Sequence, residues 1–120
     1  MKRFLLYSII VFLLACNTKE LSHTETAKIV AESFYHNDDT TLKKYTTAES
    51  YTNLSSLQEM FTEDENADVN FEVIEDTING NIAWVRYSTS FEEKPGVFKL
   101  VKEEGQWKVT ERKPREKVPF

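Results

Sequence analysis

The apolar residues change their spacing partway along the chain, and that switch limits the fold more than any other feature. Ala27, Val30, Ala31 and Phe34 recur three and four apart, which places them on one stripe of a helix. From Val69 onward the interval is two: Val69, Phe71 and Val73 alternate with Asn70 and Glu72, the pattern of a half-buried strand. Helices that precede a run of strands predict an α+β domain, with N-terminal helices packed on a curved antiparallel sheet of about four strands.

Local signals divide these regions. Ser22-His23-Thr24-Glu25 fits a capping box, in which the serine oxygen accepts from the Glu25 N–H and the Glu25 carboxylate reaches back. Asn37-Asp38-Asp39 ends the first helix, and Asp39 is placed to cap a short helical turn carrying Leu42 and Tyr45. Thr46-Thr47-Ala48-Glu49 suggests a second capping box, followed by Tyr51, Leu54, Leu57 and Phe61 at helical spacing with Met60 beside them. Thr62–Asp68 reads as an acidic loop. Asn79-Gly80 predicts a type I′ hairpin turn before a strand over 82–91. That strand turns Ala83, Val85, Tyr87 and Phe91 to one face and Trp84 and Arg86 to the other. Lys94-Pro95-Gly96 reads as a turn, 97–102 as the third strand, Glu104-Gly105 as a turn and 106–113 as the fourth strand. Trp107 and Val109 share a face of the fourth strand. Residues 114–120, with two prolines, read as a loose tail.

The first residues have another purpose. Met1-Lys2-Arg3 is a basic start, and Phe4–Ala15 is apolar except for Ser8. The run is shorter than the roughly 20 residues a membrane-spanning helix needs and suits a secretory signal. Leu13-Leu14-Ala15-Cys16 resembles the lipobox of bacterial lipoproteins, although Leu14 is bulkier than the residue usual there. The resemblance implies cleavage before Cys16, lipid on its thiol, and extracytoplasmic attachment to the cell membrane or outer membrane. Two or three acyl chains hold a protein on a bilayer where one does so only marginally. Residues 1–15 are then signal, 16–21 lipidated cysteine and tether, and 22–113 one domain.

Cys16 is the sole cysteine, so no intrachain disulfide can form. The net charge is −5; beyond residue 15 it is −7, from 13 basic and 20 acidic residues. An acidic body without a dense Lys/Arg stripe excludes nucleic acid as the expected partner. It also leaves lipid on Cys16, not charge, to make the membrane contact.

From residue 22 to about 112 the chain resembles small bacterial lipoproteins with a nuclear-transport-factor-2-like, cystatin-like domain of the DUF4878 type. The resemblance is carried by the amphipathic helix Thr24–Phe34, the short helix around Leu42–Tyr45, the turn and strand Asn79–Val85, and the closing Gly105-Gln106-Trp107-Lys108-Val109. It implies a sheet wrapped around the first helix into a cone, which in many relatives holds a small ligand. It implies no particular activity, because this fold serves enzymes, binders and assembly modules alike.

Few residues suggest chemistry. Asp64-x-Asn66-x-Asp68 with Glu75 matches a calcium loop except that Val69 replaces the glycine of its sharp turn, so a solvated acidic loop is expected instead. His23 and His36 are too far apart to act as a local pair and are expected at the surface. Asp38, Asp39, Tyr35, Tyr45 and Tyr87 are the polar candidates for acid–base work of the isomerase or dehydratase kind. No carboxylate is evidently trapped on an apolar strand face. Trp84, Tyr87 and Trp107 are the candidate pocket or contact aromatics, with Phe91 and Phe98 beside them; Trp84, opposite the Val85/Tyr87 face, is expected to be exposed. The basic residues Arg112, Lys113, Arg115 and Lys117 are expected to be solvated. No cofactor or metal is expected. The leading reading is a lipid-anchored, non-catalytic domain that binds a small ligand or an envelope protein. The alternatives are a small isomerase- or dehydratase-like enzyme, or a structural module that dimerises through the sheet.

Overall fold

The computed structural model describes residues 20–60 and 67–120. Three helices precede the sheet: α1 (His23–Tyr35), α2 (Asp39–Lys44) and α3 (Ala48–Gln58). Four strands follow: β1 (Glu72–Asn79), β2 (Ile82–Thr89), β3 (Glu92–Glu103) and β4 (Gln106–Thr110). They pair antiparallel in the order β1-β2-β3-β4. The α+β architecture is the expected one.

Ser22 caps α1 with both halves of the capping box in place. Ala27, Val30, Ala31 and Phe34 are buried, so the helical stripe faces the sheet. The helix stops at Asn37, whose φ of 61° is a left-handed conformation asparagine tolerates. Two caps fall one residue away from their predicted places. Asp38, not Asp39, caps α2 by accepting from the Thr41 N–H. Thr47, not Thr46, caps α3, and its third residue is Ser50, so no capping box forms. Thr46 is instead buried, and its hydroxyl donates to the Leu42 carbonyl at 2.7 Å.

Freed from capping, Thr46 joins the sheet. It forms a parallel bridge with Val109, whose N–H donates to Tyr45 O and whose carbonyl accepts from the Thr47 N–H, both at 2.9 Å. The link between α2 and α3 thereby covers the outer edge of β4.

β1 begins at Glu72, later than predicted. Asn70 has a φ of 50°, which breaks the extended chain, and Val69 is buried with its carbonyl accepting from the Ser90 N–H. A bulge between Val73 and Glu75 leaves Ile74 out of register and 51% exposed. The β1–β2 connection is Gly80-Asn81, with positive φ at Gly80 alone. That is the pattern of a type II′ turn, not the expected I′. Positive φ at both central residues occurs instead at Glu104-Gly105, between β3 and β4.

β3 is longer than predicted. The β2–β3 connection is Ser90-Phe91, and Pro95-Gly96 lies inside the strand, with Gly96 opposite Tyr87. Proline is tolerated because β4 pairs only with residues 99–103, leaving residues 92–98 of β3 as an edge. Glycine is required by packing: a Cβ at Gly96 would sit 2.7 Å from the Tyr87 ring end.

The inner face of the sheet carries Ala83, Val85, Leu100, Trp107 and Val109, which form the core with the α1 stripe and Leu42. Leu57 and Met60 remain 47% and 76% exposed, so the apolar stripe predicted on α3 is only partly covered.

The C-terminal residues 114–120 are not loose. The chain reverses in a turn closed by Glu116 N–H to Lys113 O, with Arg115 at a φ of 68°. The Glu116 carboxylate accepts from Lys99 Nζ at 2.8 Å. Arg86 donates to Phe120 O and lies 5.0 Å from the Phe120 ring centre. Both anchors belong to the outer face of the sheet. Trp84 is on that face too, with Lys99 Nζ 5.7 Å from its ring centre, and is only 8% exposed, where an exposed contact residue was expected.

Candidate functional site

A cavity of about 280 Å³ opens between the helices and the inner face of the sheet. α1 supplies Ala31, Phe34 and Tyr35; α3 supplies Leu54 and Leu57; the sheet supplies Tyr87, Phe98 and, at the start of β3, Glu92. Two larger hollows, about 440 and 500 Å³, lie beside the end of β4, and their walls include Glu111 and Arg112. Of these three, the smallest is walled mainly by apolar and aromatic groups, as ligand sites usually are.

Two aromatic stacks frame it. Along the sheet, Phe71, Tyr87 and Phe98 lie with ring centres 5.1 and 4.6 Å apart. On the other side Tyr35 stacks on Phe91 at 4.6 Å and lies T-shaped to Phe34 at 5.0 Å. The Tyr35 hydroxyl donates to Glu92 Oε1 at 3.3 Å. Burial, with the Glu92 charge beside it, raises the Tyr35 phenol above its ordinary pKa. Burial raises Tyr87 much further, with Tyr35 and Glu92 adding to the effect. Both phenols keep their protons at neutral pH, and Tyr35 spends its proton on Glu92.

The residues singled out from the sequence are dispersed. Tyr87, Tyr35 and Phe98 line the cavity, and Phe91 backs it. Trp107 is 6% exposed in the core, with the His23 ring at 5.9 Å and Lys102 Nζ at 5.8 Å. Asp38 is a helix cap, and Asp39 accepts from the Tyr51 hydroxyl at 2.7 Å. Tyr45 ends α2. His23 is not an idle surface residue: its Nε2 lies 2.6 Å from Asp76 Oδ2, tying the start of α1 to β1. His36 Nε2 meets the Ala67 carbonyl at 3.0 Å.

Cys16 and the residues before it, and Asp64 and Asn66 of the calcium-like motif, lie outside the described residues. Of the remaining motif, Asp68 accepts from the Asn70 N–H and Glu75 pairs with Arg86 at 2.7 Å. Among the described residues no three carboxylate, histidine or cysteine groups come together as a metal site.

Glu92 is the site residue that sequence reasoning missed. It stands next to Lys94-Pro95-Gly96, whose composition points to a turn, so nothing marked it as facing an aromatic cavity. Gln58 was missed as well. It is buried and donates from Nε2 to Ser33 O and Phe34 O, pinning the end of α3 to α1 and holding the cavity's helical wall.

No family model and no curated protein matches the chain. Among solved structures, the 2.00 Å crystal structure of a candidate NTF2-like transpeptidase from Campylobacter jejuni is similar, with a TM-score of 0.52 and 19% identity. The alignment covers 72% of this chain and 94% of that one. The fold is therefore nuclear-transport-factor-2-like, and at this identity the likeness extends to the fold alone.

Proposed function

We propose that this chain is a lipid-anchored, non-catalytic binding protein of the cell envelope that holds a small molecule in the cavity between α1, α3 and the sheet. The observation that carries the reading is the cavity wall: aromatic and aliphatic side chains with two protonated phenols and one carboxylate. Such a wall solvates an apolar body and offers a donor to orient it, but its phenols are poor bases at neutral pH. The anchor rests on Leu13-Leu14-Ala15-Cys16, which resembles the lipobox of bacterial lipoproteins, and on the apolar run before it.

Native mass spectrometry of the full chain, purified from its own host without refolding, tests the cavity. A small added mass that is lost on denaturation, and that is absent from a Leu57→Trp variant with the cavity mouth filled, is the expected result. A bare chain in both cases removes the cavity as a site of retained ligand. Cys16→Ser tests the anchor: release from the membrane fraction is expected, and unchanged retention refutes it.

A further inference from the structure

Residues 114–120 lie on the outer face of the sheet in the manner of a bound peptide. Glu116, Val118 and Phe120 are half-buried, whereas Arg115, Lys117 and Pro119 are exposed. That alternation marks an extended segment seated by every second side chain. The seat is built by β2 and β3. Lys99, whose side chain is only 9% exposed, donates to both Glu116 carboxylate oxygens at 2.8 Å. Arg86 donates to Phe120 O at 3.2 Å and lies against the Phe120 ring. Trp84 stands between these anchors, opposite Lys99 in the register and two residues from Arg86 on the same face.

The segment is separable from the fold that seats it. Among the described residues no main-chain hydrogen bond joins 114–120 to a strand, so the segment can leave without opening the sheet. The link that folds it back is strained. Arg115 has a φ of 68°, a left-handed conformation that costs a residue with a side chain about 1 kcal/mol, and Pro114 biases Lys113 toward extended backbone. A short strained link of this kind invites exchange of the segment between copies. Straightened, residues 111–115 span up to about 17 Å, enough to carry the segment from the end of β4 to a neighbouring molecule. Charge favours the transfer. Residues 112–120 carry four basic side chains and one acidic, a net +3, while the rest of the chain beyond residue 15 is −10. A basic arm is attracted to the acidic body of another copy as it is to its own.

We propose that the outer face of the sheet is a docking surface for residues 114–120 of a second copy, and that two chains join by exchanging these segments. Each Glu116 then meets the partner's Lys99, and each Phe120 meets the partner's Arg86. The occupant fits because it is the segment already seated there. Neither the seat nor the link lines the cavity, so this assembly stands apart from ligand binding.

Charge reversal separates exchange from docking within one chain. Lys99→Glu sets Glu116 against a carboxylate, and Glu116→Lys sets Lys99 against an ammonium. Mixed together, the two variants restore both ion pairs only by exchanging segments. With one of them labelled with nitrogen-15, native mass spectrometry of the mixed full chains in a non-ionic detergent should show the heterodimer at least about tenfold above either homodimer, because every other arrangement keeps like charges together. The double variant Lys99→Glu/Glu116→Lys restores the pair within one chain and should behave as the wild type. A heterodimer at no more than about twice either homodimer, the statistical share for a symmetric interface elsewhere, overturns the exchange, and so does a mixture without dimers. If Lys99→Glu does not fold, the wild-type chain decides. At about 1 mM, near the effective concentration of a short tether, isotope-filtered NOEs between labelled and unlabelled chains should connect Phe120 to Arg86 of the partner subunit, and their absence overturns the proposal.

Discussion

Gly96→Ala places one carbon where the structure has no room for it. Gly96 does not have a left-handed φ, so alanine is conformationally acceptable there and the cost arises from contact alone. The new Cβ would lie 2.7 Å from both Cζ and the hydroxyl oxygen of Tyr87 and 3.2 Å from its Cε1. The ring end of a tyrosine could swing away from such a contact if it were free. Tyr87 is held between Phe71 and Phe98, at 5.1 and 4.6 Å, so the displacement passes to the whole aromatic stack. Overpacking of this kind costs about 1–3 kcal/mol. Removing a glycine from a strand returns about 0.5–1 kcal/mol. The net expectation is a destabilisation of about 1–2 kcal/mol, seen in urea unfolding by tryptophan fluorescence as a midpoint lowered by roughly 0.5–1 M. In a Tyr87→Leu background the ring end is absent, and Gly96→Ala should be neutral or stabilising by up to about 1 kcal/mol. The double-mutant cycle should therefore show a coupling of about 2 kcal/mol. A coupling within about 0.5 kcal/mol of zero, the range of independent sites, would refute the placement of Tyr87 over Gly96.

Other positions give simpler expectations. Thr26 is 1% exposed and its hydroxyl has no hydrogen-bond partner among the described residues, so Thr26→Val should raise stability by about 1 kcal/mol; a loss of that size would show that the hydroxyl has a partner. Arg115→Gly should add up to about 1 kcal/mol by relieving a φ of 68°, measured as a rise in melting temperature. The raised phenols of Tyr35 and Tyr87 mean that the native state binds protons more tightly than the unfolded chain. Their contribution is fully present below about pH 10 and is lost as pH rises through the raised values, so stability should fall above pH 10 while part of the tyrosinate absorbance appears late. The Lys99 ammonium and the Lys113 N–H lower the pKa of Glu116. Its stabilisation holds above the ordinary carboxylate range and is lost as pH falls through the lowered value, where Trp84 fluorescence should shift to the red if the tail is released.

Local signals in the sequence placed most of the elements, because they depend on neighbouring residues. The capping box at Ser22, the stripe on α1, and the turn at Glu104-Gly105 each need only a few adjacent positions. The caps at Asp38 and Thr47 and the turn at Gly80-Asn81 are local misreadings of one residue or one turn type, whereas the larger misreadings involve partners far away in the chain. Pro95-Gly96 has the composition of a turn, yet the glycine answers to Tyr87 and the proline to an edge without a neighbour. Alternation assigned Trp84 correctly to the outer face but carried no sign that residues 116–120 would anchor across that face. The site divides in the same way: Tyr35, Tyr87 and Phe98 stood out as aromatics, whereas Glu92 gains its meaning only from a contact 57 residues away.

The pairing of Val109 with Tyr45 and Thr47 has a thermodynamic consequence. A five-residue edge strand is normally among the first parts of a sheet to fray. Here its free side is sewn by main-chain bonds to the joint between two helices. Peeling the helices away would strip β4 of its outer bonds and leave it held by β3 alone, and fraying the strand would loosen the helices. The two layers therefore lack independent opening modes at this end of the molecule, and the wall of the cavity contributed by α3 inherits the persistence of the sheet.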